Sequence, residues 1–205
     1  MNEIEFAALL VSRVCHDLVS PVGAVVNGLE VLEDERDAAM RADALKLVVS
    51  SAEQATARLQ FARIAFGAAG SAGAELDLTE VGRMVCGLLD GGKVSVEWKA
   101  AHVNWPKDWA KLLMNATLLA ADSLPRGGQI VVETSADPTT PSFKVRATGL
   151  NARILEEVEK AARGEPVAPI DGRSIQPLLT HKLARLLNAG LTLSWGDGVV
   201  ELLAG

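Results

Sequence analysis

Residues Arg13 to Glu30 read R-V-C-H-D-L-V-S-P-V-G-A-V-V-N-G-L-E. His16 is the group in this stretch best suited to making a bond. A neutral imidazole carries a free lone pair on whichever ring nitrogen lacks the proton. Counting heptads from Ile4 places Ile4, Val11, Leu18, Val25 and Leu32 at one repeat position, a. Ala7, Val14, Pro21 and Gly28 interleave with them at d. That pattern is an a/d seam for packing on other helices. His16 then stands at f, turned to water. Asp17 follows it at g, Ser20 lies one turn further on, and Pro21 sits in the helix interior. An exposed nucleophile in this setting is poised for chemistry with something that docks.

The elements that carry this stretch are long. Residues 3–34 read as one helix and residues 37–67 as a second, with Met40, Ala44, Leu47, Val48, Ser51, Ala55, Leu59, Ala62 and Phe66 near a 3.6-residue period. The acidic break at 33–37 is short, so the pair forms an antiparallel hairpin. Each helix is roughly 45 Å long at a rise of about 1.5 Å per residue. Two such helices cannot bury their apolar seams on each other alone. Dimerisation into a four-helix bundle is the simple remedy. The hairpin is assigned to 1–68 and a small-residue linker to 69–75. Residues 76–205 alternate helix and strand: a helix to Leu89, a strand from Val94, and a helix from Pro106. Strands at 129–134 and 143–147, helices at 153–162 and 175–187, and a hairpin around Gly196-Asp197-Gly198 complete it. The fold class is therefore α + α/β: a helical hairpin in a dimeric four-helix bundle, then an α/β sandwich with helices on one face of a mixed sheet.

Composition removes several function classes. The 205 residues carry a net charge of −6, against the basic face a nucleic-acid binder needs. No unbroken apolar run of about 18 residues is seen, so no membrane span is expected. The N-terminus lacks the basic-then-apolar order of a signal peptide. Two cysteines, Cys15 and Cys86, without metal spacing, fit a reducing cytoplasm.

The order His16-Asp17-x-x-Ser20-Pro21 on a helical hairpin, followed by an α/β domain, resembles the histidine-kinase core. Kinases of that kind carry H-E/D-x-x-T/N/S-P on the first helix of a dimeric bundle, and the resemblance extends to the layout of their ATPase domain. The nucleotide boxes then decide the activity. Leu124-Pro125-Arg126-Gly127-Gly128 looks like the turn that closes their asparagine box. Counting back from it places Asn115 at the first asparagine and Leu119 where the Mg²⁺-holding one belongs. Ala147 stands where an aspartate reads adenine. Ile175-Gln176-Pro177 replaces the glycine-rich lid. The whole chain thus resembles the ChpT family of alphaproteobacterial histidine phosphotransferases, in which a kinase-like bundle keeps its histidine beside a degenerate ATPase-like domain. The resemblance implies a cytoplasmic homodimer that binds no ATP and needs no cofactor of its own, with Mg²⁺ held by the partner. It implies transfer of a phosphoryl group from the receiver domain of a hybrid histidine kinase to His16, and on to response regulators of cell-cycle control. No nucleic acid and no membrane enter this reading.

In such a relay the transfers are in-line, and positioning does most of the work. Arg13 and Ser20 flank His16 by one turn on about the same face, with Arg13 placed to offset phosphate charge. Asp17 orients the ring, and Gly23 gives a partner's backbone room. The docking face reads Arg13, Val19, Ser20, Pro21, Gly23, Val26 and Asn27 around His16. Arg163 and Arg173 flank the vestigial lid as further contacts. Two other functions compete: an ATP-dependent histidine kinase with divergent boxes, and a dimeric binding module whose histidine is idle. Label from ATP would mark the first. Absence of label from any phosphorylated receiver would mark the second.

Overall fold

The computed structural model describes residues 1–67, 73–167, 169–172 and 174–205. The first helix, α1 (Glu3–Asp34), opens in a capping box: Asn2 Oδ1 accepts from the Glu5 amide at 2.8 Å, and Glu5 Oε2 accepts from the Asn2 amide at 2.9 Å. α2 (Ala38–Ala65) starts on Asp37, whose Oδ1 accepts from the amides of Ala39 and Met40, both at 2.9 Å. Arg41 reaches back from α2 and donates to the carbonyls of Leu32 and Glu35, which closes α1. The antiparallel hairpin therefore has chemical stops at the ends the sequence indicated.

The seam between the helices is narrower than an a/d stripe. Pro21 and Gly28, both at d, are buried, and on the facing helix so are Ala44 and Ser51. A Cβ on Gly28 would fall 2.6 Å from Val48 Cγ2 and 3.3 Å from the Ala44 carbonyl, so the helices touch most closely there. The a positions Ile4 and Val11 do not join the seam; they stay 81% and 62% exposed. The start of α1 meets a different element, the later helix α6 (Ile175–Leu186), where Lys182 Nζ stands 5.3 Å from the Phe6 ring centre. Val22 and Leu29, at e, are uncovered as well. By length and composition α1 is apolar enough to cross a membrane, although it holds no unbroken apolar run. The reason is the uncharged stretch between Asp17 and Glu30, apolar on several faces although only one packs on α2.

The remaining elements are β1 (Glu75–Asp77), α3 (Leu78–Leu89), β2 (Val94–Lys99), β3 (Asn104–Pro106), α4 (Lys107–Asp122), β4 (Gly128–Thr134), β5 (Phe143–Thr148), α5 (Glu156–Arg163), α6, β6 (Thr192–Gly196) and β7 (Val199–Ala204). Five strands form one sheet in the order β2-β4-β5-β7-β6, with β2 and β4 parallel and the other pairs antiparallel. Inward residues alternate with outward ones: Ile130 and Val132, Val145 and Ala147, and Val200 and Leu202 are wholly buried. α4 fills the middle and buries Leu112, Leu113, Met114, Ala116 and Ala120 completely. The sheet thus has helices on one face, as the α/β sandwich requires. The β6–β7 hairpin turns on Asp197 and Gly198, at φ 50° and 75°, the left-handed pair that a tight hairpin turn needs.

Two boundaries differ from those expected. β1 occupies the start of the segment read as helix, pairing antiparallel with β3, and Asp77 then caps α3 by accepting from Thr79 N at 2.8 Å. α5 begins at Glu156, not at residue 153, because the chain before it is spent on tertiary bonds: the Arg153 amide donates to the Ser123 carbonyl at 3.0 Å. Most of the expected linker, residues 69–72, lies outside the described residues.

The hairpin and the sandwich share a core. Phe61, Ile64 and Ala65 at the end of α2 are buried in the same cluster as α3 and α4. Asn115 Nδ2 donates to the Ala65 carbonyl at 3.0 Å, and Gln176 Nε2 donates to Asn115 Oδ1 at 3.0 Å and to its carbonyl at 2.9 Å. These bonds fix where the end of α2 stands relative to α4 and α6. Gly28→Leu tests the hairpin half of that arrangement. The added side chain must part α1 from α2, so urea unfolding should show a loss of about 1–3 kcal/mol.

Candidate functional site

α1 presents His16 almost fully to solvent, with 85% of its side chain exposed. Its only near polar neighbour among the described residues is Asp17, whose Oδ1 lies 3.2 Å from the ring Nδ1. A carboxylate only accepts, so this contact selects the tautomer protonated on Nδ1 and leaves the Nε2 lone pair facing outward. The other oxygen of Asp17 accepts from Arg13 Nε at 2.9 Å, one turn back. Asp17 is therefore placed to orient the His16 ring.

Arg13 has a different place from the one expected. Its side chain is 15% exposed and turned toward the sandwich. Besides Asp17 it donates through Nη1 to the Gly172 carbonyl at 3.0 Å and through Nη2 to Asp122 at 3.4 Å. Burial disfavours its charge, but Asp122 and Asp17 outweigh that and hold the guanidinium more firmly protonated than usual. A cation so committed joins two parts of the fold and has at most two of its five N–H donors left for an incoming phosphate. Asp122 faces the opposite balance. Its oxygens still reach solvent, with 52% of the side chain exposed, yet the concave site crowds it with protein. That crowding raises its pKa, Arg13 pulls it back, and Asp17 pushes it up again.

Pro21 is also placed differently. It is buried against α2 and cannot touch a partner. Its effect is on the backbone. Proline has no N–H, so the Asp17 carbonyl four residues earlier lacks its helical donor, a defect worth about 3 kcal/mol if nothing compensates. Arg58 compensates: from α2, its Nη1 donates to the Asp17 carbonyl at 2.8 Å. A hydrogen bond from a charged donor contributes about 1.5–3 kcal/mol, the same order as the defect. Arg58 escaped the sequence reading. Its signal was available, since an interior proline leaves a carbonyl four residues back in need of a donor.

The rest of the expected face is open. Val19 and Val26 are 69% and 48% exposed, Ser20 and Asn27 are exposed, and a Cβ on Gly23 would meet nothing within 4 Å. His16 and Asp17 also form one lip of a cleft of about 590 Å³ between α1 and the sandwich. The positions that would read a nucleotide line it or lie behind it. Leu119 is 2% exposed, Ala147 is wholly buried in β5, and Asn115 is buried at the joint with α2. Ile175, Gln176 and Pro177 form the buried start of α6, where a glycine-rich lid would otherwise stand. Of the two arginines noted beside it, Arg163 pairs with Glu159 at 2.7 Å, and Arg173 lies outside the described residues.

Comparison with known proteins decides the family. Residues 78–198 match the family described as histidine phosphotransferase C-terminal domain. The protein phosphotransferase ChpT of Brucella abortus (strain 2308) is 40% identical over 195 residues, spanning 95% of this chain and 91% of that one. The chain belongs to the histidine phosphotransferase family. A solved structure of a bacterial phosphotransferase superposes with a TM-score of 0.89 at 35% identity, covering 100% of this chain and 98% of the other. The chain is therefore a phosphotransferase of two-component signalling, with the fold of that solved structure. An oriented imidazole suits that activity, and the Arg13–Asp17–His16 chain of contacts holds one in place. Asp17→Ala removes the acceptor at Nδ1 and frees the ring to rotate. The expected outcome is an unchanged fold by circular dichroism and transfer slower by about tenfold or more, read from label on the protein in stopped time courses.

Proposed function

We propose that His16 is the relay residue, receiving a phosphoryl group from the receiver aspartate of a hybrid histidine kinase and passing it to the aspartates of response regulators. The observation that carries this is a single one: an 85% exposed imidazole held by Asp17 with Nε2 outward. The Nε2 lone pair forms a bond to phosphorus as the bond from phosphorus to the donor carboxylate breaks, and that carboxylate leaves with the electron pair. In the second step an acceptor carboxylate attacks and the P–N bond breaks. Both steps are in-line, so distance and alignment govern the rate. Mg²⁺ belongs to the receiver domain in this scheme, and the chain needs no cofactor of its own.

The partner's rim meets Val19, Ser20, Gly23, Val26 and Asn27, which adjoin His16 and lie uncovered on one side of α1. Arg13 stands at the edge of this face as part of its support. A second uncovered flank, Ile4, Val11, Val22 and Leu29, suits a second copy of the chain and completes a four-helix bundle. Obligate interfaces of this kind bury about 2,000 Å² or more. Such a homodimer accounts for the apolar character of α1 without a membrane, and the protein acts in the cytoplasm. ATP has no place in this scheme, because Leu119 and Ala147 offer neither a Mg²⁺ ligand nor an acceptor for adenine. The relay partners are those that the family resemblance implies, with response regulators of cell-cycle control downstream.

One experiment tests the acceptor. A receiver domain phosphorylated with ³²P should label the wild-type chain with acid-labile, base-stable phosphate, and Mg-ATP alone should not. His16→Ala should remain folded and take no label. Label in that variant, or on His102 or His181, would sink the proposal. A second experiment tests the two flanks together. Gly23→Arg should leave a dimer by light scattering while transfer falls by about a hundredfold, since even a 1 Å displacement has that effect. A monomer at micromolar concentration, or transfer at the parent rate, would show that the flanks are assigned wrongly.

A further inference from the structure

Arg58 lies 42 positions from His16 in the chain and is not hydrogen-bonded to its ring, yet it holds the turn on which the ring is mounted. Its Nη1 donates to the Asp17 carbonyl at 2.8 Å, the one carbonyl of that turn whose helical donor Pro21 removes. The arginine accepts a cost to stand there: its Nε is buried without a hydrogen-bond partner among the described residues. An arginine free to choose would swing that nitrogen into water, so the bond to Asp17 is what keeps it in place. Asp17 is thus held at both ends. Arg58 fixes its backbone from α2, and Arg13 fixes its side chain from the side of the sandwich. The side chain in turn sets the His16 ring.

We propose that Arg58 is a positioning residue for phosphoryl transfer, acting through the Asp17 carbonyl that Pro21 leaves unpaired. The proposal rests on His16 as the acceptor. Without the guanidinium the carbonyl would draw in water or tilt outward, and the turn carrying His16 would move with it. Displacement of a nucleophile by about 1 Å lowers an in-line rate by about a hundredfold. Binding of a receiver to the outer face of α1 involves other residues, so saturation should be little affected.

The test is a double-mutant cycle with Pro21. Pro21→Ala restores the peptide N–H that pairs with the Asp17 carbonyl, and Arg58 should then become dispensable. In the wild-type background Arg58→Met is expected to lower the transfer rate at saturating phosphorylated receiver by about 10- to 100-fold, with half-saturation changed less than threefold. Arg58→Lys, which keeps a charged donor, should recover part of the loss. In the Pro21→Ala background Arg58→Met should cost less than about threefold, since the carbonyl there has its helical partner. An equal loss in both backgrounds would overturn the proposal, because Arg58 would then act independently of the carbonyl. So would transfer at the parent rate in Arg58→Met, or a change confined to half-saturation. If Arg58→Met alone does not fold, the double variant must regain fold and transfer, and its failure counts equally against the idea. His16→Ala runs beside the cycle: label persisting there faults the acceptor assignment, while an inert His16→Ala with no coupling between residues 21 and 58 faults only the role of Arg58.

Discussion

A single missing N–H organises the functional half of this molecule. Pro21 lies in the interior of a 32-residue helix and leaves the Asp17 carbonyl without its donor. A long helix usually answers such a break by kinking, or by admitting water. Here α1 runs through it because α2 supplies Arg58 at 2.8 Å. The repair demands that α2 lie close and in one rotational setting, which the contact of Gly28 with Val48 and Ala44 permits. The defect, the close approach and the arginine are mutually dependent. What they fix is the turn that carries His16.

The sandwich acts on the same turn from the other side. Arg13 ties α1 to Asp122 on α4 and to the Gly172 carbonyl before α6, and Asn115 with Gln176 ties the end of α2 to α4 and α6. In a kinase-like layout the second domain would need freedom to carry a nucleotide to the histidine. The charged contact and the shared core oppose such movement. A relay that draws on no ATP, as proposed, needs no such movement, and the sandwich gives it a stable mount for α1. The cleft beside His16 fits that role, since its former reading positions are occupied by Leu119, Ala147 and the buried start of α6.

Much of this was legible in the chain, and the part that was not has one physical character. α1 was readable to the residue because its information is local: Asn2 and Glu5 form the cap, and the acidic segment ends it. The exposure of His16 followed from a heptad count. Openness was legible for Val19, Ser20, Gly23, Val26 and Asn27, whose surroundings depend on one helix alone. It was misread for Pro21, whose d position already placed it inside, and for Arg13, whose partners lie 109 and 159 residues away. β1 was missed because three residues carry no period, and its partner β3 is formed by another three. The start of α5 was missed because no side chain caps it; Leu155 precedes it, and the Arg153 amide is taken by Ser123.

The membrane question shows the same division between local and tertiary information. By composition and length alone, α1 is suited to a bilayer. What argues for protein neighbours instead is the arrangement of its apolar residues. One strip holds the buried Pro21 and Gly28, a second carries Ile4, Val11, Val22 and Leu29, and a third carries Val19 and Val26 beside His16. A lipid-embedded helix has no reason to place a histidine, an aspartate and an arginine together near its middle, where each charge is costly. A helix that meets proteins does: one strip lies on its hairpin partner, and in the proposed relay a second faces another copy of the chain and the third stays open. The third strip is the one beside the His16 ring, and the glycine at position 23 keeps it low enough for another backbone to approach.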